Sequence, residues 1–106
     1  MAWIALVIAG VLETIWAVAM KQSHGFTKPG PTVLMIVTMA ASFGLLAWAM
    51  RSLPLGTAYA VWTGIGAAGA FLIGVLFLGE AASAMRIAAA LLIVGGIMLM
   101  KAASPG

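Results

Sequence analysis

Ala9-Gly10-Val11-Leu12-Glu13-Thr14-Ile15-Trp16-Ala17 is the stretch on which the reading of the whole chain turns. Its one carboxylate, Glu13, interrupts an otherwise apolar run from Ala2 to Met20. Such a run crosses a bilayer, since ~20 helical residues rise ~30 Å. Glu13 lies near its midpoint, too deep for a short side chain to reach either interface. A charged residue at a helix centre costs about 2.5–3.5 kcal/mol on insertion scales, and each Leu, Ile, Phe or Val returns about 0.3–0.6. Eight such residues lie between Ala2 and Met20, and together they return roughly 2.4–4.8 kcal/mol. The sum is near balance, which a plain anchor has no reason to tolerate. Glu13 is therefore expected to be protonated, paired or facing a water-filled cavity, and it marks a functional site.

The rest of the composition agrees. The 106 residues are 65% hydrophobic and 7% charged, too little polar surface to enclose a soluble core. No cysteine is present, which excludes disulfides, thiolate chemistry and thiolate metal sites. The net charge of +3 reads as Lys and Arg capping helix ends. No basic cluster could track a phosphate backbone, so nucleic acid is not an expected partner. The N-terminus lacks the basic region of a signal peptide, and Lys21 with a polar loop follows it. It is read as a retained first helix.

Breaker residues divide the chain into four spans: about 2–20, 32–50, 57–78 and 84–100. The first break holds Pro29-Gly30-Pro31, the second Leu53-Pro54-Leu55-Gly56, the third Gly79-Glu80. Lys101 closes the last span and a short polar tail follows. The expected fold is an all-α integral membrane protein, one four-helix transmembrane domain over residues 1–106. No internal repeat is evident. Many secondary transporters are built from two inverted repeats, so a second copy would have to supply that symmetry.

Positions three and four apart share a helix face. Leu6, Ala9, Gly10, Glu13, Trp16, Ala17 and Met20 form one stripe with the acid at its centre. Gly10 leaves space beside the carboxylate, while Trp16 offers a π face and an N–H donor. That lining suits a small cation, held by charge and by cation–π contact. Trp3 and Trp48 read as interfacial belt residues. In the third span Tyr59, Trp62, Thr63 and Gly66 share a face. A Tyr O–H or Trp N–H buried there needs an acceptor, and Glu13 is the one carboxylate at that depth. Thr38 and Ser42 share a face of the second span, and spacing leaves both open as site residues or as hydroxyls bonded back to their own helix. Gly64, Gly66 and Gly69 are read first as small-residue packing, with a flexible bend as the alternative. Gly95-Gly96 reads as a close helix contact between two copies. His24 has no partner at metal-ligand spacing, no metal or other cofactor is expected, and nothing resembles a nucleophile–base pair or phosphate loop.

Two motifs carry a family likeness. Gly10-Val11-Leu12-Glu13-Thr14-Ile15-Trp16-Ala17 resembles the small multidrug resistance family, and Leu53-Pro54-Leu55-Gly56-Thr57-Ala58-Tyr59-Ala60-Val61-Trp62-Thr63-Gly64-Ile65-Gly66-Ala67 resembles its guanidinium-exporter branch. Trp16 one turn after the acid, and Trp62-Thr63, favour that branch over the one for polyaromatic cations. The resemblance implies a proton-coupled antiporter in the bacterial inner membrane, working as an antiparallel, dual-topology homodimer. It implies that proton and substrate share Glu13, that Trp16, Ser42, Tyr59 and Trp62 line the pocket, and that Gly10 faces it. The resemblance, not spacing, selects Ser42 over Thr38.

The mechanism then expected is exchange of guanidinium ion, or small guanidinyl compounds, for protons. Two copies of Glu13 in one cavity would titrate as a coupled unit. A planar guanidinium presents N–H donors in a fork that fits a carboxylate bidentately, so proton and cation compete for the same oxygens. Two other readings remain: export of quaternary ammonium drugs, and a proton-carrying membrane subunit that transports nothing. The last needs a central acid but not the aromatics around it.

Overall fold

Three short breaks leave four helices in the computed structural model: α1 (Ala2–Gln22), α2 (Pro29–Ala49), α3 (Leu55–Phe77) and α4 (Ala84–Ala103). The structure describes residues 1–104; residues 105 and 106, the end of the expected polar tail, lie outside them. No strand occurs among the described residues. Each helix is long and apolar enough to cross a membrane, which makes the chain a four-span, multi-pass membrane protein. Both ends of the bundle's chain path thus lie on one side of the bilayer.

The ends differ from the sequence reading for local reasons. Pro29-Gly30-Pro31, expected in the loop, forms the first turn of α2. Proline is tolerated there because the first helical N–H groups have no intrahelical acceptor. α3 likewise starts at Leu55, directly after Pro54. Ser83 caps α4, its hydroxyl accepting from the Arg86 N–H at 3.3 Å.

The first loop is ordered by one residue. Ser23 is fully buried. Its hydroxyl donates to the Met20 carbonyl (2.7 Å) and accepts from the Phe26 N–H (3.0 Å). Its carbonyl takes the N–H groups of Thr27 and Lys28 at 2.9 and 3.1 Å. These bonds hold His24, Gly25 and Phe26 at φ of 49°, 71° and 70°, a region that non-glycine residues enter reluctantly.

α1 is the centre of the bundle. It packs along both α2 and α3, α2 and α3 meet only briefly, and α4 packs along α3 and reaches α1 through Lys101 over the Trp3 ring. The core gathers at one end, from Leu6 and Ala9 of α1, Leu46 and Ala49 of α2, and Ala58, Val61 and Trp62 of α3. In lipid there is no hydrophobic drive to bring helices together, so small residues that permit close approach decide the contacts. The α1–α3 contact works in this way and in both directions. A Cβ on Gly10 would stand 2.6 Å from the Cβ of Ile65, so α1 offers a notch to an α3 side chain. In return, Gly66 and Gly69, one turn apart on α3, receive the side chains of Glu13 and Thr14. Gly64 takes Ile97 of α4. Gly64, Gly66 and Gly69 are thus occupied as packing surfaces. α4 has no buried residue, and nothing lies within 4 Å of a Cβ built on Gly95 or Gly96.

Candidate functional site

α1 carries Glu13 and Trp16 one turn apart, near the middle of a 21-residue helix. The Glu13 side chain lies along α3, where it fills the space left by Gly66; a Cβ there would stand 2.7 Å from Glu13 Cγ. The room beside the carboxylate is therefore at Gly66 on α3. The notch at Gly10, which spacing on α1 suggested for that purpose, is taken up by Ile65.

Glu13 Oε1 is buried and has no hydrogen-bond partner among the described residues, and the same is true of Trp16 Nε1. A buried polar atom is normally bonded, and an exception calls for an explanation. Here an acceptor and a donor, both unbonded, stand three residues apart on one helix face.

Ser42 ties three helices together at this level. Fully buried, it donates to the carbonyl of Ala9 on α1 at 2.7 Å and accepts the indole N–H of Trp62 on α3 at 2.9 Å. The acceptor of the Trp62 N–H is thus a serine hydroxyl, where the sequence had pointed to Glu13 as the available acceptor. Both hydrogen-bonding capacities of the hydroxyl that face its neighbours are used, and the Glu13 carboxylate keeps its own. Thr38, one turn from Ser42, bonds back to Leu34 (2.7 Å) and Met35 (3.2 Å) of its own helix. The two hydroxyls that spacing left equal are separated in this way: Ser42 reaches across helices and Thr38 does not.

The aromatic residues form a continuous row. Trp16 meets Phe43 edge to face at 6.3 Å between ring centroids, Phe43 meets Trp62 at 5.7 Å, and Trp62 meets Tyr59 at 5.5 Å. These distances lie in the range where ring quadrupoles attract in tilted arrangements. Trp62 is nearly buried at 6% exposure, whereas Tyr59 at 53% and Phe43 at 46% open away from the chain's own core. Sequence reasoning missed Phe43. It follows Ser42 directly, so it lies off the Thr38–Ser42 face, and only the crossing of α2 over α1 and α3 brings it between two tryptophans. Trp3 stands apart, with the Lys101 ammonium 4.9 Å from its ring centre.

The arrangement is a carboxylate with an unbonded oxygen, packed on Gly66 deep in a span, on the same helix face as Trp16 and one α3 turn from the serine-anchored indole of Trp62. It can hold a proton on the carboxylate, or a small cation between carboxylate and rings. It offers no nucleophile with a base, and no group of three or more His, Cys, Asp or Glu occurs among the described residues that could hold a metal ion.

The family profile described as Small Multidrug Resistance protein matches residues 1–93. The chain belongs to the small multidrug resistance family. Among its relatives in that family, a protein of Escherichia coli (strain K12) named Guanidinium exporter is 57% identical over 95% of this chain and 96% of its own length. One of Yersinia pseudotuberculosis serotype I (strain IP32953) with the same name is 59% identical over 98% of this chain and 100% of its own. A third Guanidinium exporter, from Citrobacter freundii, is 54% identical over 95% and 96%. As a small multidrug resistance protein with near full-length likeness, the chain places its acid, its indoles and its buried serine within the matched region.

Proposed function

We propose that this chain is a proton-coupled antiporter that exports guanidinium ion and small guanidinyl compounds across the bacterial inner membrane, and that it is not an enzyme. One observation carries the reading: a buried carboxylate oxygen with no hydrogen-bond partner among the described residues, near the middle of a membrane-length helix and one turn before Trp16, the first of a row of aromatic rings. The name shared by relatives 54–59% identical over nearly the whole chain supports the choice of substrate.

Glu13 holds either a proton or the cation. A guanidinium donates two parallel N–H bonds to the carboxylate and lies against the indole of Trp16. Trp62 and Tyr59 complete the wall, and Ser42 fixes the Trp62 indole through the bond already described. Gly10 acts through the close approach of α3 that it permits. Since proton and cation claim the same oxygens, binding one expels the other, and guanidinium binding weakens as pH falls.

The working unit is an antiparallel homodimer. Two copies in opposite senses supply the inverted halves that alternating access uses. Support comes from α4, which has no buried residue in its own chain and leaves Gly95 and Gly96 open for a neighbouring helix.

Proteoliposomes test the proposal. A guanidinium gradient is expected to drive protons the other way, with tetramethylammonium moved poorly, because a site built to take N–H donors rejects a cation lacking them. Glu13→Gln is expected to abolish exchange while the protein still folds, the amide being of the same shape without charge. Exchange by Glu13→Gln would end the proposal. Equal transport of guanidinium and tetramethylammonium would move the reading to multidrug export, and movement of neither cation would point to a proton-carrying subunit.

A further inference from the structure

Thr14 follows Glu13 and faces α3. Its side chain fills the notch at Gly69: the hydroxyl oxygen lies nearest to where a Cβ there would stand, with the methyl carbon 3.0 Å and Cβ 3.1 Å from that point. Its hydroxyl has two acceptors within reach, the Gly10 carbonyl of its own helix at 3.3 Å and the Gly66 carbonyl of α3 at 3.4 Å. A hydroxyl has one proton to donate. The notch fixes the side chain, so the proton alone is free to turn between the two carbonyls.

The position of the second carbonyl matters. Gly66 is the residue whose bare Cα receives the Glu13 side chain. The same α3 residue thus has Glu13 on its Cα and the Thr14 hydroxyl at its carbonyl. One turn earlier on α3, Trp62 is joined to the Ala9 carbonyl through Ser42. Two polar ties therefore connect α3 to α1, one on each side of the Glu13 level. The tie through Ser42 sets the rotation of the Trp62 indole. The tie through Thr14 sets the distance of the α3 backbone from the carboxylate.

We propose that Thr14 is a positioning residue for the cation site: its hydroxyl, shared between the Gly10 and Gly66 carbonyls, holds α3 against Glu13 and so sets how the carboxylate is presented to a guanidinium. The inference rests on the exporter reading for its functional consequence and on the α1–α3 geometry for its structural one. Thr14 touches no substrate in this account.

Thr14→Val and Thr14→Ser in the full chain separate the hydroxyl from the methyl. Valine keeps the branched shape but puts a methyl group where the hydroxyl oxygen meets the Gly69 notch; serine keeps that oxygen and its donor and drops the methyl group. Hydrogen bonds between membrane helices are individually weak, so Thr14→Val is expected to raise the apparent KM for guanidinium roughly 3-fold, and no more than about 20-fold. The maximal rate changes less. Backbone amide exchange around Gly66 increases in the same variant, and Thr14→Ser matches the unsubstituted protein in both measurements. The proposal is overturned if Thr14→Val changes neither quantity or only one of them. It is also overturned if Thr14→Ser is as impaired as Thr14→Val, since the loss would then not follow the hydroxyl. Should the unsubstituted protein move no guanidinium, the exporter reading fails by itself, and amide exchange alone decides whether the tie exists.

Discussion

Phe43 shows how a residue without a polar atom can bear on the proposed cation site. Its ring stands between Trp16 and Trp62, and through them it joins the α1 and α3 walls. Aromatic pairs are worth about 0.5–1.5 kcal/mol beyond the area they bury. Phe43→Ala removes two of them and frees both indoles to turn. Guanidinium affinity is expected to fall by roughly 2–12-fold, the worth of one such pair on that energy scale, with the protein still eluting as the same oligomer. Titration of intrinsic tryptophan fluorescence with guanidinium checks the first point and size-exclusion chromatography the second. Unchanged affinity would remove Phe43 from the site. Glu80 is the contrasting residue. Its carboxylate meets the Arg86 guanidinium at 3.0 Å, but both side chains are nearly half exposed. An exposed pair contributes about 0–1 kcal/mol, and Glu80→Gln is expected to leave guanidinium exchange within about twofold in the liposome assay. The chain's two acids are thus separated by environment, one at mid-span and one in water.

At the scale of helices, the α1–α3 contact is a reciprocal fit between notches and side chains. Gly10 admits Ile65, Gly66 admits Glu13 and Gly69 admits Thr14. Gly10→Val would place methyl groups against Ile65, and overpacking of this kind costs about 1–3 kcal/mol. The variant is expected to lose thermal stability in detergent, read as a lower midpoint of unfolding or aggregation. Gly95→Ala tests the other side of this reasoning. Nothing among the described residues meets a Cβ at Gly95, so beyond the helix propensity that alanine adds, an effect on association must come through another copy. A change in the dilution at which the oligomer dissociates, with the monomer's unfolding midpoint unaltered or slightly raised by the better helix former, is the expected outcome.

For the whole molecule, charge does little to choose an orientation. The side with the termini holds Arg51 and Lys101, and the opposite side holds Lys21, Lys28 and Arg86. Orientation follows Lys and Arg near the span ends, and two against three is a weak bias. Both insertions are expected in the same membrane, which an antiparallel dimer requires. Single cysteines on this cysteine-free background report the result. Gln22 and Ser52 are exposed and lie at opposite ends of the bundle, whereas Ser23 is buried within its own loop bonds and would label poorly. Comparable labelling of Gln22→Cys and of Ser52→Cys from both faces of the membrane is the expected pattern. Access to each from one face alone would exclude dual insertion and with it the antiparallel dimer.

The sequence by itself determined the quantities that depend on distance along the chain. Hydropathy and breakers marked four spans, and counting residues placed Glu13 at mid-depth with Trp16 one turn away. The span ends shifted by a few residues where proline entered a first turn. What only the tertiary structure decided was rotation and register between helices: Ser42 as the acceptor for Trp62, Phe43 between two indoles, Gly66 as the residue that makes room for the acid. The physical reason lies in the solvent. In water a helix shows its buried face by an apolar stripe against a polar one. In lipid these helices are apolar all round, so the pattern of hydrophobicity does not say which side meets a neighbour. Contacts are chosen by where small residues let backbones approach and where a buried hydroxyl finds a carbonyl, and those matches exist only once two helices are set side by side.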